Sequence, residues 1–123
     1  MTTRQIGKKC EEYAKTYLEK NGMQIIETNF FCREGEIDII AREEEYIVFI
    51  EVKARKNTLF GNPCEAVTQT KQRKLIMAAQ RYVTQKECES AFRFDVVEIL
   101  YKQCGGDICP TNLNHIRGAF EEA

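Results

Sequence analysis

Three charged residues interrupt two apolar, β-type segments, and their types suit phosphoryl-transfer chemistry. Asp38 follows Ile37 in one segment, and Glu51 and Lys53 interrupt the other. Because an unpaired charge is costly to bury, such groups in a core are normally paired or bound to a metal ion. Two carboxylates can share Mg²⁺ or Mn²⁺, and a nearby lysine can activate water and offset charge on phosphorus. The pattern predicts a metal-dependent nuclease site, with a structural Asp–Lys ion pair as the other interpretation.

The register of the two strands decides whether these residues form a site. Side chains alternate between the faces of a strand, so Glu51 and Lys53 project from the same face, about 7 Å apart. Asp38 joins them if it pairs with Glu51, which leaves a connection from Glu43 to Tyr46. Pairing with Ile50 instead would send Asp38 to the opposite face. We expect the first arrangement, or an equivalent one produced by a bulge.

The rest of the pattern predicts the elements that hold these strands. Apolar residues at three- and four-residue spacing predict helices over 4–21 and 65–86. Apolar and alternating segments predict strands over 23–32, 36–41, 46–53 and 91–100, loops over 57–63 and 101–110, and a short last strand over 111–116 with a docked tail at 118–120. This order predicts an α/β fold with a mixed central β-sheet flanked by helices on both sides.

Length and composition indicate an ordinary globular protein. The 123 residues fit one domain, residues 1–123. No apolar run approaches the roughly 20 residues that span a bilayer, and the N-terminus has no signal-type segment. We therefore expect a cytoplasmic protein with no membrane partner, whose six cysteines are reduced thiols.

The charges are segregated along the chain. The net charge of −1 taken alone argues against a nucleic-acid binder. Residues 34–51 contain seven acidic residues and one basic, however, and residues 53–81 contain seven basic residues and one acidic. An acidic centre beside a basic stretch suits a cation and a phosphate backbone, although solvated surface charge explains the same pattern. The residues expected to contact nucleic acid are Lys71, Arg55, Lys56, Arg73 and Lys74.

Two charged residues lie on or beside the apolar stripes of the predicted helices. Glu11 sits at the edge of the first stripe, where it faces either a cleft or solvent. Lys71 occupies the second stripe where that helix begins, and either extends to solvent or reaches over the sheet toward a phosphate.

Two other groups of residues are weaker candidates for a metal-binding or catalytic role. Cys104, Cys109 and His115 could form part of a zinc site, but their spacing is uncommon and no fourth ligand is evident. Asp95 follows Arg93 by two residues, which favours a salt-bridged strand carboxylate over a role at the site.

Six segments of the chain resemble a known family. They are residues 7–14, 35–41 (Gly-Glu-Ile-Asp-Ile-Ile-Ala), 49–55 (Phe-Ile-Glu-Val-Lys-Ala-Arg), 71–75, 93–97 and 119–120. In this order they resemble the YraN-like family of predicted endonucleases, which has the restriction-endonuclease-like, PD-(D/E)xK fold and is related to Holliday junction resolvases. The chain departs from the usual pattern at Cys10, where relatives often have glycine, and at Ile37, where the superfamily motif has proline.

The resemblance implies a role for each matched residue. Asp38 and Glu51 would be metal ligands, with the Val52 carbonyl as a third, and Lys53 would be the catalytic lysine. Glu11 would complete the acidic site directly or through water. Lys71 would contact a phosphate or the site itself.

These observations converge on a Mg²⁺-dependent (or Mn²⁺-dependent) nuclease that hydrolyses phosphodiester bonds in DNA, including branched or damaged DNA. Such hydrolysis leaves a 5′-phosphate and a 3′-hydroxyl. The alternative is a non-catalytic nucleic-acid-binding or scaffold module with the same fold. A homodimer is also possible, because dimerisation would extend the basic surface.

Overall fold

The computed structural model of the chain describes residues 1–56 and 67–122. Its elements follow the predicted order: α1 Thr3–Lys20, β1 Gln24–Cys32, β2 Gly35–Glu43, β3 Tyr46–Lys56, α2 Gln69–Gln85, β4 Phe92–Cys104 and β5 Asp107–Phe120. The predicted loop over 57–63 and the predicted helix start at residue 65 lie outside the described residues. Within those residues, no helix is long and apolar enough to cross a bilayer.

The five strands form one mixed sheet in the order β1-β2-β3-β4-β5. β3 and β4 run parallel, and the other neighbouring pairs are antiparallel. A parallel pair needs a crossover connection, and α2 lies in that connection, packed on one face of the sheet. α1 packs on the opposite face. The predicted α/β architecture is confirmed, and it is consistent with a restriction-endonuclease-like core.

α1 is an amphipathic helix with defined ends. Thr2 caps its first turn, and the Gln5 side chain completes a capping box with the Thr2 backbone. The helix ends before Gly22, whose φ of +92° suits a residue without a Cβ. Its buried residues share one face and pack against β2, β3 and β4: Ile6, Cys10, Ala14 and Leu18.

β3 is buried on both faces where it crosses the middle of the sheet. Val48 and Ile50 pack beneath α1, whereas Phe49 packs beneath α2. Glu51 projects from the same face of the strand as Phe49, toward α2, and is only 6% exposed. The strand therefore carries a carboxylate into a region where its neighbours are apolar, as the sequence indicated.

The connection between β2 and β3 is shorter than predicted. Glu43 and Tyr46 are themselves paired, so only Glu44 and Glu45 form the turn. The outer pair extends the ladder without changing its register.

The prediction of a loop over residues 101–110 is wrong. β4 continues to Cys104, a turn at Gly105-Gly106 follows, and β5 begins at Asp107. The added part of β4 is exposed at Lys102 and Gln103 and half-buried at Tyr101 and Cys104, so it lacks the apolar alternation by which a strand is recognised in a sequence. Pro110 is accommodated because β5 lies at the edge of the sheet.

The last strand is also longer than predicted. β5 has 14 residues, so the expected short strand over 111–116 is its middle, and the expected tail at 118–120 is its end. Phe120 stacks on Phe94 of β4 with ring centroids 5.0 Å apart. The C-terminal segment thus docks as predicted, but as part of the sheet.

A buried ionic network holds β5 against β4. Asp95, which is 1% exposed, accepts hydrogen bonds from Nε and Nη2 of Arg93 at 2.8 and 3.0 Å and from the N–H of Gly118 at 3.0 Å. Nε2 of His115 lies 2.8 Å from Asp95, and Nδ1 lies 3.1 Å from the hydroxyl of Tyr17 on α1. Burial alone raises the pKa of Asp95, but hydrogen bonds from His115, Arg93 and Gly118 hold that pKa below its ordinary value. The interpretation of Asp95 as a salt-bridged strand residue is confirmed.

Replacing Asp95 tests this network. We expect Asp95→Ala to lower the free energy of unfolding by about 3 kcal/mol, because it removes the buried carboxylate that Arg93, His115 and the N–H of Gly118 share, although Arg93 keeps its bond to Glu43. Urea denaturation at pH 7 measures the change. Asp107→Ala is the control, because Asp107 pairs with Lys9 on an exposed surface and its loss should alter stability little. If the free energy of unfolding fell equally little in both variants, the network would not stabilise the fold as proposed.

Candidate active site

The β2–β3 register brings Asp38 to Glu51. The antiparallel pairing ends at Ile39 and Ile50, and the same register carried one step further places Asp38 opposite Glu51. The backbone N–H of Val52 donates a hydrogen bond of 2.8 Å to Oδ2 of Asp38. The ladder has the register that the prediction requires up to Ile39 and Ile50, but Asp38 and Glu51 lie just beyond its last pair, and the Asp38 carboxylate is held by the backbone of the neighbouring strand.

The two carboxylates occupy an environment that disfavours a double negative charge. Burial, then the charge of Glu51, raises the pKa of Asp38 to about 7. Burial also raises the pKa of Glu51, although Lys71, Asp38 and Lys53 act to lower it. Without a bound cation, the pair therefore retains a proton near neutral pH.

Two lysines face Glu51 from different elements. Nζ of Lys71, in the first turn of α2, lies 3.7 Å from Oε2 of Glu51. Lys53 lies two residues beyond Glu51 on the same strand, and its charge acts to lower the pKa of that carboxyl group. Lys71 thus reaches over the sheet to the site, which is one of the two arrangements that its position in the sequence left open.

Glu11 approaches the same region from α1. It lines a cavity of about 210 Å³ that Lys8 and Asn29 also border. Its Oε1 accepts a hydrogen bond of 2.8 Å from Nδ2 of Asn29, and the same nitrogen donates at 2.8 Å to Oε1 of Glu36. Burial raises the pKa of Glu11, the bond from Asn29 lowers it, and the charge of Asp38 raises it again. Glu11 is therefore close enough to Asp38 to sense its charge.

The donor set at Asp38 and Glu51 fits a hard divalent cation. Carboxylate oxygens are the ligands that Mg²⁺ and Mn²⁺ prefer. Oε2 of Glu51 is buried and finds no hydrogen-bond donor among the described residues. Within residues 1–56 and 67–122, no three His, Cys, Asp or Glu side chains are grouped to hold a metal ion. The described residues thus offer two carboxylates at this position, and the metal-ligand roles expected for the Val52 carbonyl and Glu11 stay predictions.

The residues predicted to contact nucleic acid lie at the end of β3 and the start of α2. Three of them are exposed: Lys56, Arg73 and Lys74. Arg55 is half-buried, and its Nε lies 3.8 Å from Oε2 of Glu98, a residue that is 0% exposed. The exposed residues are accessible to a phosphate backbone, whereas Arg55 is engaged with the sheet. Their binding role stays a prediction.

The structure does not support the zinc interpretation. The ring nitrogens of His115 engage Tyr17 and Asp95, on the α1 face of the sheet. Cys104 and Cys109 lie near each other across the β4–β5 hairpin and carry free thiols. They belong to no metal-holding group within the described ranges.

Sequence reasoning missed Asn29 and Glu36. Glu36 precedes Asp38 by two residues, which was a signal for a second carboxylate near the site. Asn29 interrupts a strand with a residue type that strands disfavour. Nothing in the sequence shows that its amide joins Glu11 to Glu36.

Comparison with known proteins identifies relatives over nearly the whole chain. A family model described as "Uncharacterised protein family UPF0102" matches residues 10–99. A UPF0102 protein of Caldicellulosiruptor saccharolyticus is 43% identical over 121 residues, which cover 98% of this chain and 100% of the relative. A UPF0102 protein of Clostridium kluyveri is 47% identical over 97 residues, covering 78% and 80%. A UPF0102 protein of Vibrio parahaemolyticus is 42% identical over 121 residues, covering 97% and 94%.

The raised pKa of Asp38 predicts how stability depends on pH. In the folded protein Asp38 keeps its proton to about pH 7, whereas the ordinary pKa is 3.8. The folded state thus binds more protons in this window, so the free energy of unfolding falls as pH rises from about 4 to about 7. Asp38→Asn removes this loss and, in EDTA at pH 8, should stabilise the protein by on the order of 2–4 kcal/mol.

Urea denaturation from pH 4 to pH 8 measures this difference, which should shrink toward pH 4. Glu45→Gln is the matched control, because it makes the same charge change on an exposed turn. Mg²⁺ should raise the stability of the wild type at pH 8 and leave Asp38→Asn unchanged. Parallel pH profiles for wild type and Asp38→Asn would contradict the assignment.

Proposed function

The chain belongs to the UPF0102 family, and from the site that its residues build we propose that it is a Mg²⁺- or Mn²⁺-dependent nuclease that hydrolyses phosphodiester bonds in DNA. The observation that carries this proposal is the buried Asp38–Glu51 pair. One oxygen of Glu51 has no hydrogen-bond donor among the described residues, and two lysines face the same carboxylate. A fold alone does not specify an activity, so the proposal rests on these side chains.

The acidic pair would hold the cation. When bound, the cation would act as a Lewis acid on a phosphoryl oxygen and lower the pKa of a water molecule. Asp38 is oriented for this task by the N–H of Val52, which fixes one carboxylate oxygen at 2.8 Å. Glu51 is oriented by its place on a strand buried on both faces. Both ligands therefore come from rigid strands, which favours a defined geometry.

Lys53 would act on the reacting atoms. Its position on the same face as Glu51 allows its side-chain nitrogen to act in one of two ways: as an amine it would accept a proton from the attacking water, and as an ammonium group it would orient that water and offset charge on phosphorus. Because Lys53 lies on the same strand as Glu51, the metal ligand and the lysine keep a fixed separation.

Lys71 and the exposed basic residues would bind the substrate backbone. Lys71 is 42% exposed at its side chain and already lies at the edge of the acidic pair. Lys56, Arg73 and Lys74 extend positive charge along neighbouring elements. Phosphate contacts of this kind position a nucleic acid without reading its sequence. The proposed substrate is DNA, and branched and damaged DNA are included among the forms that the protein would cut.

A cleavage assay tests the function. We expect the wild type to cut DNA with Mg²⁺ or Mn²⁺ and to be inactive in EDTA. Lys53→Ala should lower the rate about 10²- to 10³-fold, the usual effect of removing one charge-stabilising group. Asp38→Asn and Glu51→Gln should lower it at least as far, because each removes a ligand charge. Linear, nicked and four-way DNA and RNA serve as substrates.

Lys20→Ala is the matched control for Lys53→Ala, because Lys20 is exposed at the end of α1. Glu45→Gln controls for loss of a carboxylate. Both should retain wild-type activity. Equal background activity in the wild type and the three site variants would refute the nuclease and favour the non-catalytic binding module.

A further inference from the structure

Asn29 has a backbone conformation that its place in a strand does not explain. Its φ is +52°, in the left-handed region that residues other than glycine seldom adopt. Asparagine tolerates this region better than most residues, but the conformation persists only where surrounding contacts impose it. Thr28 pairs with Ile39, and Phe30 pairs with Ile37. Asn29 on β1 therefore lies opposite Asp38 on the neighbouring strand β2.

The side chain of Asn29 joins two acidic residues from different elements. Its Nδ2 donates at 2.8 Å to Oε1 of Glu11 on α1 and at 2.8 Å to Oε1 of Glu36 on β2. An amide nitrogen carries two hydrogens, so this pair of bonds uses its full donor capacity. Carboxylate oxygens accept hydrogen bonds, which makes the nitrogen, not the amide oxygen, the atom between them.

This bridge opposes a repulsion. The charge of Glu36 raises the pKa of Asp38, and the charges of Asp38 and Glu36 both raise the pKa of Glu11. With no donor between them, the two carboxylates would move apart, and Glu11 could swing with its long side chain toward solvent at the cavity. A single neutral donor holds Glu11 beside β2 without adding a positive charge that would compete with a cation.

We infer that Asn29 is a positioning residue of the acidic site: through Glu11, it holds an outer carboxylate beside the Asp38–Glu51 pair and thereby strengthens divalent-cation binding. The inference rests on the proposed metal site, to which the buried Oε2 of Glu51 points independently of Asn29, because no hydrogen-bond donor reaches that oxygen within the described part of the chain. Hydrogen-bonded groups behind metal ligands commonly change metal affinity 10- to 100-fold.

A purely structural role makes a different prediction. If Asn29 only tied α1 to the sheet, its replacement would change thermal stability and leave the cation affinity of the folded protein unchanged. Asn29→Gly separates the two, because glycine removes the amide and adopts a positive φ without strain. Glu87→Gly is the matched control, since Glu87 also has a φ of +52° but lies just after α2.

The experiment measures Mn²⁺ affinity at pH 8 by electron paramagnetic resonance for wild type, Asn29→Gly, Glu11→Gln, the double variant and Glu87→Gly. Melting curves establish which variants are folded.

We expect Asn29→Gly to weaken Mn²⁺ binding about tenfold or more. The double variant should bind no more weakly than Glu11→Gln alone, because Asn29 acts through Glu11. Glu87→Gly should bind as the wild type does. If Asn29→Gly does not fold, Asn29→Ser, which retains one donor, should show a smaller loss in the same direction.

Affinity within twofold of wild type in the folded Asn29 variant, or additive losses in the double variant, would overturn the inference. The outcome is separable from that of the proposed function. Wild-type protein that binds Mn²⁺ but cuts no nucleic acid would refute the nuclease alone, and the affinities would still decide the role of Asn29. Cleavage by the wild type with unchanged Mn²⁺ affinity in Asn29→Gly would refute the inference alone. Wild-type protein that binds no Mn²⁺ would refute both.

Discussion

A buried carboxylate, Glu51, beside a half-buried one, Asp38, is the constraint on which the rest of the structure depends. Glu51 is 6% exposed, and burial together with the charge of Glu51 raises the pKa of Asp38 to about 7. A stable core gains nothing from this arrangement, because desolvation and like-charge repulsion both act against it. A proton, the ammonium group of Lys71 or a divalent cation can each reduce the repulsion between the two carboxylates. Lys71 lies 3.7 Å from Oε2 of Glu51, so it offsets charge there without forming a hydrogen bond, and we propose that a divalent cation completes the neutralisation.

The fold supplies what this pair requires. Antiparallel β2 and β3 set the register, and the parallel β3–β4 step places α2 over the face from which Glu51 projects. Each helix then contributes one charged residue to the site. α2 brings Lys71 to Glu51, and α1 brings Glu11 to Asn29. On the α1 side, the Asp95 network fixes β5 to β4 with its charges fully paired, which contrasts with the incompletely satisfied carboxylates of the site.

The part of the site that lies on regular strands was predictable, because alternation and register are properties of sequence spacing. The approach of Asp38 to Glu51 and the place of Lys53 on the same strand were predicted in this way, as was the position of Lys71 on the stripe of α2, whereas the chemical roles of these residues stay predictions. Asn29 was not, because a left-handed residue in a strand and a bridge across 18 residues to Glu11 depend on tertiary contacts. The outer part of the β4–β5 ribbon was missed for another reason: apart from the buried Ile108 its residues are exposed or half-buried, so no apolar periodicity marks it. Reading residues 101–110 as a loop followed from their glycines and polar composition.

The central claim is that Asp38 and Glu51 together hold a divalent cation. A crystal of the wild-type protein soaked in Mn²⁺ at pH 8 tests it directly, through the anomalous difference map at the manganese edge. The account predicts a dominant peak between the two carboxylates, in contact with both, and no peak at that position in a crystal of Asp38→Asn treated in the same way. A saturating soak that leaves this position empty in the wild type, or that places manganese elsewhere on the chain, would contradict it.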